Sequence, residues 1–343
     1  MQTWWIILII LAVVILAVVA VLFTRLRTVF SIRHLGGTLY RVKYRVNYKL
    51  DKLLDKGLKD VAGLTSFVSK HIFFGYPISV NEQISGCSSF STSSQTGELL
   101  AGRNFDYPKT GQLLIHTKPR GGYASYSMMC LAHLGITEEN GTMPETKMGK
   151  LMILASPFAC VDGMNEKGLH VAVLELATKP TAQSTGKTPI ITTIAVRMLL
   201  DKCATTDEAV EMLSKYDMYS SAGSPYHFLI TDAIGKTVVV EWPDPEQNMV
   251  VLPQKYVTNF QLAEGEFQDA GGGHERYKTI EKALAKSESG LLEEDVFEVL
   301  KSVKVDYNGN WGTIWSIVYN INKKTMKIRC YDDYETVYEI PKL

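Results

Sequence analysis

The chain has 343 residues, and its 36 Lys+Arg balance 36 Asp+Glu, so the formal charge is zero. Apolar residues make up 46% and charged residues 21%, which excludes a largely disordered chain and allows one large domain or two small ones. The charge balance argues against a nucleic-acid partner, which normally leaves a basic excess.

Trp4 to Phe23 is an unbroken apolar run of 20 residues. As a helix it would span about 30 Å, the thickness of a bilayer core. Trp4 and Trp5 stand at one end, and Arg25, Arg27 and Arg33 follow the other. A cleaved signal peptide would need a basic start and a shorter apolar stretch. The run is therefore read as an uncleaved single-pass anchor within residues 1–24, with membrane contact through 4–23. By the positive-inside rule the three arginines would put the body on the cytoplasmic side, and a secreted, anchored enzyme is the alternative, so the side of the membrane stays open.

Tyr40, Val42, Tyr44, Val46, Tyr48 and Leu50 alternate with polar residues, the period of a half-buried strand. Leu53, Leu54, Leu58, Val61, Leu64 and Phe67 recur at helical spacing and predict one helix near 51–71. Strand-like runs follow at 112–117, 124–131, 151–156, 169–176, 226–231, 237–242, 248–252, 313–319, 326–331 and 334–340. Helical patterns lie near 190–203, 206–216 (capped at Thr206-Asp207), 275–287 and 292–303. Strict βαβ alternation is absent, and short links such as 232–236 suit hairpins. The expected fold is α+β, with two antiparallel sheets covered by helices.

The five cysteines (Cys87, Cys130, Cys160, Cys203, Cys330) form no CxxC pair, and their number is odd. Neither a zinc ribbon nor a disulfide framework is expected. The seven histidines show no metal-ligand spacing, and no P-loop, GxGxxG, HExxH or GxSxG occurs. One stretch differs from this background. Gly86-Cys87-Ser88-Ser89-Phe90 precedes Gly102-Arg103-Asn104-Phe105-Asp106-Tyr107, with a turn at Thr96-Gly97-Glu98 between. Two strands joined there would bring Arg103 and Asp106 to Cys87. A glycine before Cys87 is also what self-cleavage would favour, since it lets the thiol reach the preceding carbonyl.

Three further stretches accompany these: Asp162-Gly163-Met164-Asn165-Glu166-Lys167-Gly168-Leu169, Val257-Thr258-Asn259-Phe260 and Glu275-Arg276-Tyr277. Together the five resemble the N-terminal-nucleophile amidases of the choloylglycine hydrolase type. That group includes bile-salt hydrolases, penicillin V acylases, acid ceramidase and N-acylethanolamine acid amidase. The resemblance implies an αββα sandwich, with an N-terminal prosegment over 25–86 and an amidase domain over 87–343. It implies that Cys87 frees its own α-amine by cutting the Gly86–Cys87 bond. That amine then serves as the base for the thiol, so no histidine is required. Arg103 would lower the thiol pKa, and Asp106 would orient the amine. Asn165 and Asn259 would stabilise the oxyanion, and Arg276 would complete the charge frame.

The implied substrate is a small N-acylated amine or amino acid with an apolar acyl group, hydrolysed at a linear amide without metal or organic cofactor. An acyltransferase on the same scaffold and a catalytically silent, membrane-tethered binding protein are the alternatives. Each residue also has a plainer role. Asn165, before Glu-Lys-Gly, fits a turn. Met128, Met129, Met152, Phe158 and Tyr226 suit a core as well as an acyl pocket.

Overall fold

The structure, a computed structural model, describes residues 2–78, 86–287 and 289–343. Helix α1 (Gln2–Val29) carries the apolar run, and none of its apolar window is buried. Strands β1 (Arg33–Gly36) and β2 (Leu39–Tyr44) precede helices α2 (Leu50–Lys56) and α3 (Val61–Ile72). Next come β3 (Gly86–Ser93), β4 (Leu99–Pro108), β5 (Gln112–Thr117) and β6 (Ser125–Cys130). Short helix α4 (Lys147–Met152) leads to β7 (Asp162–Asn165), β8 (His170–Glu175) and β9 (Thr188–Ile191). Helices α5 (Thr192–Lys202) and α6 (Thr206–Ser214) follow, then β10 (Tyr216–Tyr219), β11 (Tyr226–Thr231), β12 (Thr237–Glu241) and β13 (Val250–Leu252). Three two-residue strands, β14 (Tyr256–Val257), β15 (Asn259–Phe260) and β16 (Gly271–Gly272), lead to α7 (His274–Lys286) and α8 (Glu293–Ser302). The chain ends in β17 (Trp311–Asn320), β18 (Thr325–Cys330) and β19 (Asp333–Ile340).

Among the described residues, nine strands form one sheet in the order β1-β2-β5-β6-β7-β8-β11-β12-β13, and six form another in the order β14-β3-β4-β17-β18-β19. Helices α5 and α6 cover the outer face of the first sheet, and α7 and α8 cover the second. The inner faces meet where β3 lies against β8 and β11. This is a four-layer α+β sandwich, held by a core that runs through both sheets. Strand β17 is buried along almost its whole length, as a central strand between two layers must be.

Four local expectations change. The first sheet is not wholly antiparallel: β2 joins β5 in parallel, through the long excursion that carries α2, α3, β3 and β4. A separate pair, β9 and β10, is also parallel. The helix expected over 51–71 is two helices. Gly57 ends the first at φ 74, and Asp60 starts the second by accepting from the Gly63 amide at 2.7 Å. The strand expected at 151–156 is the end of α4 followed by a tight helical turn, Ile153–Phe158. That turn is buried on every side, so its apolar pattern carries no period to read. Finally, α6 is capped by Thr205, not by Thr206, through the Glu208 amide at 3.2 Å.

Residues 39–73 belong to the same core as the rest of the molecule. Leu39, Val42, Leu53, Leu64 and Val68 are completely buried in it.

Candidate active site

Strand β3 begins at Gly86 and Cys87 and runs antiparallel to β4. Gly86 faces Asp106, Cys87 faces Phe105, and Ser89 faces Arg103. Side chains alternate along a strand, so this register divides the residues between two faces. Cys87 and Arg103 point inward to β8. The Cys87 thiol lies 3.9 Å from the Val173 carbonyl, and Arg103 Nη2 donates to the same oxygen at 2.6 Å. Asp106 points outward to α7, where Arg276 Nη1 meets its Oδ2 at 3.0 Å. Arg103 and Asp106 therefore do not act as one charged pair opposite the cysteine. Their three-residue spacing puts them on opposite faces of β4, and each has its own counter-ion.

The counter-ion of Arg103 is Asp162, at 3.4 Å, with both side chains fully buried. Tyr319 (2.7 Å) and Trp315 (3.4 Å) also donate to that carboxylate. Asp106 is held by Arg276 and by the Thr313 hydroxyl at 2.5 Å. Burial draws the Asp106 carboxyl upward from its usual range, opposed by Arg276, Thr313 and Arg103. Gly86 leaves no room for a side chain, because a Cβ there would approach Asp106 Oδ2 to 2.8 Å. Glycine before the cysteine thus answers a steric demand in addition to any need for flexibility.

Arg276, in the first turn of α7, ties the outer residues to the cysteine. Nη1 donates to the Cys87 carbonyl at 3.0 Å as well as to Asp106, and Nη2 donates to Asn259 Oδ1 at 2.8 Å. That same Oδ1 accepts from the Cys87 backbone nitrogen at 2.8 Å. The partner of this nitrogen in the unbroken chain is therefore Asn259, and Asp106 does not bind it directly. Asn259 Nδ2 spends one proton on the Glu175 carbonyl at 2.8 Å.

Asn165 lies elsewhere. Asp162 faces inward on β7, so Asn165, three residues on, faces α5. Its Nδ2 donates to the Leu200 carbonyl at 3.0 Å and the Cys203 carbonyl at 2.7 Å. Its Oδ1 accepts from the Lys167 and Leu169 amides at 3.0 and 3.1 Å. With both ends occupied on the far side of the sheet, Asn165 is the clamp of a turn and is not part of the cysteine's surroundings.

Three groups around the cysteine were not expected from the sequence. One is the Val173 carbonyl. Another is Asp162, which lies inside a motif stretch but carried no expected role. The third is the pair His227 and Glu241. His227, fully buried, bridges Glu241 Oε1 (2.7 Å) and the carbonyl of Thr258 (2.8 Å), the residue before Asn259. Glu241 also accepts from the Leu262 and Ala263 amides. Burial pushes its carboxyl upward, but His227 and those amides outweigh burial and hold it below its usual value. The signal was available: a His and a Glu stand inside the apolar runs YHFLIT and TVVVEW. Met128, Met129 and Phe158 are core residues, fully enclosed.

Burial pushes the Cys87 thiol up to about 11, against Arg103 and Arg276, while Asp106 and Glu175 add to the rise. Cys160 is pushed up to about 11, and Cys203 and Cys330 to about 12. Thiol acidity does not single out Cys87 in the unbroken chain. Its backbone does, because its nitrogen and carbonyl are both gripped by the Asn259–Arg276 pair.

Residues 93–333 match the family model described as Acyl-coenzyme A:6-aminopenicillanic acid acyl-transferase. That is well over half of the chain. The chain belongs to this family. The family places it among the N-terminal-nucleophile hydrolases, and the four-layer sandwich agrees. The matched stretch takes in Arg103, Asp106, Asn165, Asn259 and Arg276 and begins just after Cys87.

Similar folds occur in a variant of the conjugated bile acid hydrolase from Clostridium perfringens, at 17% identity and TM-score 0.55, covering 74% of this chain and 92% of that one. Penicillin V acylase from Agrobacterium tumefaciens is also similar, at 17% identity and TM-score 0.56, covering 74% and 86%.

Proposed function

We propose that this protein is a cysteine amidohydrolase for linear carbon–nitrogen bonds, matured by scission of Gly86–Cys87 and tethered to a membrane by α1. The observation that carries the reading is the grip on the Cys87 backbone: Asn259 Oδ1 on its nitrogen and Arg276 on its carbonyl, at 2.8 and 3.0 Å. An interior cysteine needs no such fixture for its main chain. A cysteine whose nitrogen becomes a base does.

Once the bond is cut, the nitrogen is an α-amine with a reference pKa near about 7.7–8.0. It takes the thiol proton as sulfur attacks the substrate carbonyl. The proton then passes to the departing amine, and water attacks the thioester to release the acid. Arg103, on the thiol's side of the sheet, favours the thiolate once cleavage admits water. Arg276 holds Asn259 so that its amide keeps station beside the reacting carbonyl. One Asn259 N–H has no partner among the described residues and is free to donate to the developing oxyanion, a contact worth on the order of 3 kcal/mol in the transition state. Asn165 has no part in this step.

A substrate of the class named for the similar structures, an N-acyl amide such as a bile-acid conjugate or penicillin V, fits the chemistry. A second reading has its own support, since the matched family is named for an acyl-transferase. In that case an amine resolves the thioester instead of water. Intact-mass measurement of purified protein tests the proposal. A new N-terminus at Cys87, absent in Cys87→Ala together with turnover, is the expected result. Full amidase activity in Cys87→Ala refutes it. Free acid release compared with amine-dependent product separates hydrolase from transferase.

A further inference from the structure

The chain as a whole is charge-balanced, but two segments are not. Residues 24–50 hold seven cations and no acid, and residues 108–137 hold Lys109, Lys118 and Arg120 with no acid. The fold brings them together at the foot of α1. The Arg45 amide donates to the Thr28 hydroxyl at 2.9 Å, and the Lys43 amide donates to the Ser31 hydroxyl at 3.0 Å. Strand β2 then carries Lys43 beside His116 of β5. Arg27, Arg33, Lys43, Arg45, Lys118 and Arg120 are all exposed. None of the six forms an ion pair among the described residues.

Arg45, Lys118 and Arg120 line one cleft of about 260 Å³. The acids at its wall are already spent, Asp201 on Arg197 at 2.7 Å and Asp51 on Lys202. His116 reports the same field: burial and then Arg41, Lys43, Arg45 and Lys118 push it down to about 4.

A second observation concerns apolar groups. Phe30, 70% exposed, lines a cleft with Arg27, Arg33 and Arg45 of this basic face, and Phe74 stands 66% exposed. Arg25 lies 4.4 Å over the Phe74 ring and donates to the Ile72 carbonyl at 3.0 Å, which locks α3 to the helix foot. Aromatic rings and cations at one level are the composition of a membrane interface. The level agrees as well. Thr28 lies five residues past Phe23, about 8 Å along the helix, within the headgroup layer and one Debye length.

We propose that this face docks on the anionic headgroups of the bilayer that holds α1, and so seats the catalytic body against the membrane. The proposal rests on the reading of α1 as an anchor. Its test uses the full chain in nanodiscs of phosphatidylcholine with or without phosphatidylserine, read by hydrogen–deuterium exchange. Anionic lipid is expected to slow exchange in 41–46 and 118–122 by about tenfold at low salt. The protection should vanish in the combined variant Arg45→Gln, Lys118→Gln, Arg120→Gln, with turnover of a water-soluble amide unchanged. Equal exchange in both discs, with the protein inserted, overturns the docking face while leaving the anchor intact. Protection by inorganic phosphate in discs without anionic lipid overturns it in favour of a site for free anions. Failure to enter either disc overturns the anchor, and the docking face with it.

Discussion

Arg276→Gln is the most informative single change, because one guanidinium serves three acceptors. Its loss removes the bonds to the Cys87 carbonyl (3.0 Å), Asp106 (3.0 Å) and Asn259 (2.8 Å). Among the described residues, Asp106 is then left fully buried with only the Thr313 hydroxyl as a side-chain partner. Removing one member of a buried ion pair typically costs about 3–5 kcal/mol. Arg276 itself is 19% exposed, so water can enter in its place, and about 2–3 kcal/mol is the expected loss.

The loss should depend on pH, with a sign fixed by Asp106. Its folded pKa is raised above the usual 3.8, so the folded state binds the proton more tightly than the unfolded one. Stability from this group is then full below the unfolded pKa and is lost as pH rises toward the folded one. Without Arg276 the folded value rises further. The melting temperature of the variant should therefore lie close to wild type near pH 4 and fall away toward neutral pH.

Activity should fall more than stability. Asn259 loses the group that holds its oxygen, so both scission at Gly86–Cys87 and kcat should drop, by about 10²–10³. Intact mass gives the first, and a fixed-substrate rate on the processed fraction gives the second. An Arg276→Gln protein that is processed and turns over at the wild-type rate would refute the mechanism.

Asn165→Ala gives the opposite pattern. Four hydrogen bonds, three of them buried, are lost, for about 2–4 kcal/mol by denaturant titration, with kcat unchanged in the folded fraction. Gly86→Ala forces a Cβ to within 2.8 Å of Asp106 Oδ2, and the fraction cut by intact mass should fall sharply while the fold persists. Glu241→Gln loosens the His227–Thr258 support of Asn259. Because the Glu241 carboxyl is depressed, its stabilisation is full above the usual 4.5 and disappears as pH falls through the folded value. The variant should therefore show a shallower acid limb in a stability–pH profile. After scission, residues 1–86 should co-elute with the body in gel filtration in detergent. Burial of Leu39, Val42, Leu53, Leu64 and Val68 supplies on the order of 10 kcal/mol to hold them.

The sequence carries the side of a strand on which a residue stands more clearly than it carries what lies behind that side. Arg103 and Asp106 are three apart in a strand, and that spacing alone separates them onto two faces. The same parity separates Asp162 from Asn165. What parity cannot supply is the layer each face meets. Cys87 and Arg103 face β8, and Asp106 faces α7, only because β3 and β4 lie between those layers, and that contact spans up to some 170 residues of chain.

The parallel pairing of β2 with β5 was hidden for the same reason. Both strands show their alternation locally, but nothing local states which of two buried edges will accept the other.

Asn259 shows how this limits the reading of a site. Its amide can be named from a motif, yet its position is set by residues on two other strands and a helix. His227 holds the preceding carbonyl, Glu241 holds His227 and the amides of residues 262 and 263, and Arg276 holds the side chain itself. A His and a Glu embedded in apolar strands are costly unless paired, so each alone announces an unseen partner. With β11 and β12 joined by the five-residue link 232–236, the antiparallel register that pairs Phe228 with Val240 puts 227 beside 241. Hairpin geometry and the length of the link are thus enough to pair His227 with Glu241. The third member, the Thr258 carbonyl, has no such signal, because a backbone oxygen leaves no mark in a sequence.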